Sequence, residues 1–380
     1  MRARKPIIVG ACVIAVVLIV AGIAALVMPR DPAGKDTPSP AGPKSAGDTG
    51  VTLVASDTQP VSGDAAWCAP LKICWDKLCD YHNGGQPLTP KDGPSDVVEA
   101  LNNSPFHANM LSDDHYYSYA GPMTQEARST IEEGIRQRFG QGSDLLDKLD
   151  WAGADERTTL FYAMLYREFS FEHPFALAPD AGVFGTSGEA NVRYFGTIDS
   201  EDEERTSLLA QVQPLYYEDY EHCACRLTTK EGDVLVLVKG PEGKSFSQMW
   251  QNAMRKAGAP GTQTPLKNDE DFMCPLLSID IFREYGELEG LKFDLSNGEE
   301  LKIGQAMQTL KFDLDNKGGK VKSEAAISAV ATSAPQEDER PRQFVFDDTF
   351  ALFLVDGNAP EGSLPYLATL VSDAHTFQGA

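Results

Sequence analysis

The chain has 380 residues, with 33 basic and 56 acidic side chains and a formal net charge of −23. A field of that sign argues against nucleic acid and anionic membrane surfaces as partners. The chain has no Gly-x-Ser-x-Gly, no His-Glu-x-x-His and no phosphate-cradling glycine loop, so no enzyme or cofactor motif is expected.

In chain order, Arg2, Arg4 and Lys5 precede an uninterrupted apolar run from Ile7 to Met28. At 1.5 Å per residue such a run crosses a ~30 Å hydrocarbon core. The basic flank predicts a cytoplasmic N-terminus over 1–6 and a single-pass signal-anchor over 7–28. The expected localisation is therefore the cell membrane, with the C-terminal domain extracellular. A cleaved signal peptide is the alternative, although its apolar core is usually shorter. Residues 29–60, rich in Pro, Gly, Ala and Ser at their start, are expected to form a disordered stalk. One folded domain is expected over 61–375.

Six cysteines follow the apolar run: Cys68, Cys74, Cys79, Cys223, Cys225 and Cys274. An even count in an exported domain allows up to three disulfides in fifteen pairings. A zinc site around His222, Cys223 and Cys225 is a sharper alternative, but Cys-x-Cys is not the usual ligand spacing, and buried free thiols or a disulfide fit these residues better.

Trp67 to Leu78 has helical apolar spacing, with Gly84-Gly85 beyond its end. Ser95 opens a short helix with Asp96 to Leu101 as its body. Asp113 to Met123 reads as aromatic and turn-like. Thr124 is an N-cap for a helix from Gln125 to Phe139, and Gly140 is its stop. Leu160 to Tyr166 is nearly continuous in apolar character, as suits a strand buried on both faces. Asn191 to Phe195, Gln211 to Tyr217, Cys223 to Thr228 and Asp233 to Lys239 are further strands, and Asp199 to Glu204 reads as an acidic loop. Ser245 caps a helix from Phe246 to Ala257. His82, His107, His115 and His375 fall in expected loops. Asp113-Asp114 and Asp347-Asp348 read as caps or solvated loop residues.

The last seventy residues are the most telling. Leu310 to Asp315 alternates as a half-buried strand. After Gly318-Gly319 comes a tract of mostly small side chains, Glu324, Ala325, Ala326, Ile327, Ser328, Ala329, Val330, Ala331, Thr332, Ser333 and Ala334, ended by Pro335. A polar run to Arg342 follows, then strands at Phe344 to Phe346, Phe350 to Val355 and Leu364 to Val371. The pattern Asp313-x-Asp315-x-Lys317-Gly318-x5-Glu324 also approaches a calcium-loop motif, but Lys317 puts a cation where a ligand oxygen is needed.

This arrangement resembles the reactive-centre loop and C-terminal strands of the serpins, the serine protease inhibitor family. Other segments match in order. Trp67 to Ile73 resembles the start of the family's second helix. Ala127 to Leu146 is similar to the helix lying across its main sheet. Thr158 to Phe175 is similar to the central strand, and Gly304 to Asp315 to the strand feeding the loop. The resemblance spans Trp67 to about Ser372. The family's first helix and those after the second are missing or shortened, as is the helix expected between Tyr285 and Leu301. Phe171 and Gly134 stand at positions where the family has tryptophans.

The resemblance implies an α+β serpin-like fold, with a large mixed central sheet, a second smaller antiparallel sheet and some helices reduced. It implies a protease inhibitor, not an enzyme, whose partner is a serine or cysteine protease. Cleavage in the scissile region Thr332, Ser333, Ala334 and Pro335 would free the segment from Gly319 through Ala331 to enter the main sheet. Ala325, Ile327, Ala329, Ala331 and Ser333 would share one face, with Ala326, Ser328, Val330, Thr332 and Ala334 on the other. Ten residues at ~3.3 Å each span a sheet's height. Lys320 and Lys322 are expected to disturb the hinge. A non-inhibitory surface binding or scaffold protein of the same fold is the alternative.

Overall fold

A computed structural model describes residues 44–45, 49–155, 157–186, 190–198, 202–259, 263–322 and 341–378. Helices and strands are numbered separately in chain order. The chain from Pro43 onward forms one compact unit. Its six-stranded sheet runs, from edge to edge, β1 (Lys44–Ser45), β14 (Leu277–Glu284), β17 (Met307–Asp315), β18 (Gly318–Lys322), β5 (Thr159–Ser170) and β4 (Tyr116–Pro122). Only the β1–β14 pair is parallel, so the sheet is mixed.

The seven-stranded sheet is β10 (Val212–Tyr217), β11 (Cys223–Thr228), β12 (Asp233–Lys239), β20 (Phe350–Asp356), β21 (Leu367–Val371), β3 (Ala65–Cys68) and β2 (Thr52–Leu53). Its centre is buried throughout: Leu235, Leu237, Leu352, Phe353 and Leu354 have no exposed surface. Continuous apolar runs suit strands covered on both faces, which is why β12 and β20 read so clearly from sequence. A four-stranded sheet joins β19 (Gln343–Val345), β13 (Asp271–Pro275), β9 (Tyr194–Gly196) and β6 (Ala176–Leu177). Two hairpins complete the strands, β7 (Gly182–Val183) with β8 (Ala190–Val192), and β15 (Lys292–Asp294) with β16 (Glu300–Lys302). The last of these occupies the stretch where a compressed helix was expected.

The helices are α1 (Pro70–Asn83), α2 (Asp96–Asn103), α3 (Gln125–Phe139), α4 (Asp202–Ala210) and α5 (Phe246–Ala257). The side chains of Thr124 and Ser245 cap α3 and α5 by accepting the amides of Ala127 and Gln248. Gly140 ends α3 at a φ of 66°, the left-handed value that only glycine adopts cheaply. His82 belongs to α1, not to a loop, and part of the expected acidic loop is the helix α4. Tyr116–Pro122 is a strand instead of a turn, because pairing with β5 overrides the weak local signal of Gly121 and Pro122.

Ordered structure starts earlier than the boundary at residue 61. Val51, Leu53 and Ala55 are fully buried, and β2 pairs with β3. The expected single-pass membrane localisation is corrected: among the described residues no helix is long and apolar enough to cross a membrane. Residues 7–28, on which that expectation fell, lie outside the described residues. All six cysteines are free thiols, so the expected disulfides are not formed in the structure. Burial pushes the Cys74 and Cys223 thiols up to about 12, and those of Cys225 and Cys274 well above the usual thiol range.

Candidate functional site

The feature that sets the site is the position of β18. It lies between β17 and β5 and pairs antiparallel with both. Lys311, Phe312, Asp313, Leu314 and Asp315 face Lys322 back to Gly318 on one side. Tyr166 to Ser170 face Lys322 back to Gly318 on the other. Sequence reasoning placed a hinge at Gly319 and saw no strand there.

Two glycines make that entry possible. A Cβ at Gly318, whose φ is 150°, would lie 2.0 Å from the Phe169 carbonyl oxygen. A Cβ at Gly319 would lie 2.5 Å from the Phe169 ring and 2.8 Å from the Asp313 carbonyl oxygen. Any larger residue at either position forces the flanking strands apart. The turn before them is fixed by backbone bonds: Phe171 N donates to the Lys317 carbonyl and Phe175 N to that of Asn316, each at 2.8 Å. Phe171, standing in the tryptophan position, is buried in an aromatic cluster with Phe175 and Phe195.

The two lysines do not disturb this strand. Strand alternation puts Lys320 and Lys322 on one face and Gly319 and Val321 on the other. Val321 is fully buried. Lys320 Nζ lies 2.9 Å from Glu168 Oε1, directly opposite on β5, and Lys322 pairs with Asp144.

Below Lys322 the arrangement changes. Thr159 to Leu165 of β5 and Met307 to Leu310 of β17 have no partner strand between them among the described residues. The outer side of this stretch packs into a cluster with Ile131 and Ile135 of α3, Leu146, Tyr162, Met164 and Met307. Gly134 of α3 falls against Tyr117 of β4, whose ring occupies the space a Cβ would need at 2.4 Å. A tyrosine from the sheet thus takes up the room that the expected tryptophan of the helix would fill.

The far end of the loop is held separately. Arg342 donates through Nε to Glu270 Oε1 at 2.6 Å and through Nη2 to Oε2 at 2.7 Å. It also donates to the carbonyl oxygens of Thr264 and Pro265. Glu270 is buried, and against the upward push of that burial Arg342 holds its carboxyl below the usual range. Immediately after Arg342, β19 pairs parallel with β13. Sequence reasoning missed this anchor, since nothing near Glu270 marks it as the partner of Arg342.

Of the expected site residues, Gly319 is placed at the entry. Glu324, Ala325, Ala326, Ile327, Ser328, Ala329, Val330 and Ala331, and the scissile region Thr332, Ser333, Ala334 and Pro335, lie outside the described residues. The chain's two described loop ends are therefore a strand already in the six-stranded sheet and an arginine clamp on the four-stranded one.

No known family profile and no curated protein matches the chain. Solved structures do. The chain is similar to a cleaved Serpin 42Da at 12% identity and a TM-score of 0.49, covering 84% of this chain and 93% of that one. It is similar to Serpin48 of the insect Tenebrio molitor at 15% identity and a TM-score of 0.38, covering 69% and 78%. It is also similar to a thyroxine-binding globulin complexed with thyroxine, at 13% identity and a TM-score of 0.40. That match covers 66% of this chain and 65% of the globulin. The fold is α+β, built among the described residues from a six-stranded mixed sheet, a seven-stranded sheet, a four-stranded sheet, two hairpins and five helices.

Proposed function

We propose that the chain is a protease inhibitor that works by loop cleavage and strand insertion into the six-stranded sheet. The observation that carries this reading is β18, whose five residues already lie between β17 and β5 in the direction an entering loop would take. Continuing both registers sets residue 323 opposite Leu165 and Leu310, and residue 325 opposite Ala163 and Gln308. Ala325, Ile327 and Ala329 then follow Gly319 and Val321 on the buried face, where small side chains fit a packed interior. Each residue that inserts would form ladder hydrogen bonds with β5 and β17 and bury apolar surface. The gain becomes available only after the loop is cut, so a protease bound to it by an acyl bond is carried along and its active site deformed. The partner is a serine or cysteine protease that accepts small residues around Thr332 to Pro335.

Incubating the full chain with subtilisin- and elastase-type proteases tests the reading. A denaturant-stable covalent complex, and a cleaved form that melts higher than the intact one, are the expected results. Cleavage with neither outcome sinks inhibition and leaves the alternative, a non-inhibitory binding or scaffold protein on the same fold.

A further inference from the structure

The six-stranded sheet ends at β4, and its pairing with β5 leaves the centre of that edge open. In an antiparallel pair every second residue bonds the neighbouring strand, and the residues between turn N–H and C=O away from it. Bonds on both sides of the β4–β5 ladder fix the phase. Tyr166 N donates to the His115 carbonyl at 3.3 Å, and Met123 N to the Thr158 carbonyl at 2.8 Å. Between them the register runs from Tyr116 against Leu165 to Pro122 against Thr159. Tyr117, Tyr119 and Gly121 therefore bond β5, while Tyr116, Ser118, Ala120 and Pro122 point their backbone groups outward.

The ends of that outward row have partners within the chain. Arg138 of α3 donates to the Tyr116 carbonyl, and Tyr119 Oη donates to the Pro122 carbonyl at 3.0 Å. Pro122 has no N–H to offer. At the centre, the N–H and C=O groups of Ser118 and Ala120 have no protein partner among the described residues. Ala120 is exposed and Ser118 half-buried. An open edge is a template for another strand, which proteins ordinarily blunt with lysine, proline or a bulge. In a chain of net charge −23, β4 carries no charged residue, and its one proline is its last residue.

We propose that β4 is the contact of a two-fold dimer, in which the edges of two copies of this chain pair antiparallel about Tyr119. Centring on Tyr119 sets Ser118 against the second copy's Ala120 and Ala120 against its Ser118. Each such pair exchanges two bonds, four in all. This register matches open groups only with open groups; its neighbours set one against Pro122 or against the carbonyl that Arg138 holds. The same two-fold lays the Arg138 end of one edge beside the other copy's end from which α3 starts. The first turn of α3 carries the exposed Glu126, so a guanidinium faces a carboxylate at both ends of the contact. At the centre the two Tyr119 residues form a non-bonded pair, where side chains approach most closely.

Sedimentation velocity and hydrogen exchange of the full chain, kept in non-ionic detergent to hold the apolar run 7–28 apart, test the contact. A monomer–dimer equilibrium is expected over about a hundredfold range of concentration. Ser118 and Ala120 amides should gain protection as the dimer forms, while those of Tyr117 and Tyr119, bonded to β5, keep theirs. Ala120→Pro removes an outward N–H and no β5 bond, and should raise the dissociation constant at least about tenfold. Glu126→Arg leaves the backbone of β4 intact and should weaken the dimer severalfold by setting like charges together. A wild-type chain that stays monomeric overturns the proposal whether or not the variants fold. So does a dimer that leaves Ser118 and Ala120 unprotected, or one as tight in both variants as in the wild type. Protection of those two amides that is equal at the lowest and highest concentrations also overturns it, because another segment of the same chain then covers the edge.

Discussion

The two halves of the stretch between β5 and β17 differ in how they are partnered among the described residues. Along Tyr166–Ser170, β5 has a full partner in β18, two glycines that let it approach, a buried valine and two lysines matched by acids. Along Thr159–Leu165, the same strand has no partner on that side among the described residues. In one half the ladder is complete; in the other, no strand among the described residues lies between β5 and β17. On the insertion reading proposed above, a freed segment would extend the β18 ladder into that lower half and gain its hydrogen bonds there.

The largest effect should come from filling that lower half. Cutting the loop near Ser333 is expected to raise the melting temperature, by several degrees if several ladder bonds and the apolar face of Ile327 are gained, each kcal/mol being worth roughly 1.5 °C in a chain of this size. An ordinary loop cut leaves stability unchanged or lower. Ala325→Arg should erase the rise by forcing a charge between Ala163 and Gln308, at a cost of several kcal/mol. Differential scanning calorimetry of intact and cut protein, each with and without the substitution, separates the outcomes. Equal melting of intact and cut wild type would show that the lower half stores nothing.

Next comes the upper half. Gly319→Val should eject β18, since the new side chain meets the Phe169 ring and the Asp313 carbonyl oxygen inside van der Waals contact. The expected signature is loss of exchange protection at Lys320 to Lys322 with the seven-stranded sheet unaffected. Val321→Ala, which keeps the backbone and removes two buried methyl groups, should cost about 2 kcal/mol in denaturant unfolding. If both variants keep β18 protected, the strand is held by something other than this packing.

Some of this was legible in the sequence and some was not, for identifiable reasons. The caps at Thr124 and Ser245, the glycine stop at Gly140 and the apolar runs of β12 and β20 each carry a local signal strong enough to survive tertiary context. The segment Gly318-Gly319-Lys320-Val321-Lys322 carries the opposite signal, since two glycines and two lysines are poor strand formers. It becomes a strand only because both neighbours are already strands. The chain order of the serpin-like segments made the slot foreseeable in outline, whereas its half-filled state was not. The contact between His115 and Asp356 was illegible altogether. His115 read as a loop residue because its partner, Asp356, lies 241 positions away, and no periodicity connects them. The lysine Lys239 went unnoticed for the same reason: its partner Asp347 is 2.6 Å away in space and on a different element.

A pH scan tests a buried carboxylate away from the slot. Asp64 accepts the amides of Ser372 and Asp373, yet burial raises its carboxyl to about 6. The folded protein therefore binds a proton there more tightly than the unfolded chain does. The sign follows directly: this contribution is complete below about pH 4 and is lost as pH rises through 6, by on the order of 3 kcal/mol. Asp64→Asn should flatten that segment of the stability curve and leave the curve above it unchanged. A curve that stays steep between pH 4 and 6 in the variant would assign the slope to another group.

The smallest effect is expected at Lys320. Its ion pair with Glu168 at 2.9 Å lies on the outer face, with the lysine 36% and the glutamate 60% exposed. Solvent screening leaves such a pair less than about 1 kcal/mol. Burial does not oppose it either, because alternation keeps Lys320 off the packed face that Val321 fills. Lys320→Met should therefore shift unfolding by less than that amount and leave β18 protected against exchange. The alternation argument makes the stronger claim of the two, since it holds that position along the strand matters and charge does not. Moving the lysine by one place, as Val321→Lys with Lys320→Val, keeps composition and formal charge identical. That exchange should expose β18 to solvent, because it sends the ammonium into the interior beside Arg167 without a carboxylate of its own. A double variant as well protected as the wild type would mean that β18 is held by its backbone ladder alone and that the two faces of the slot are equivalent.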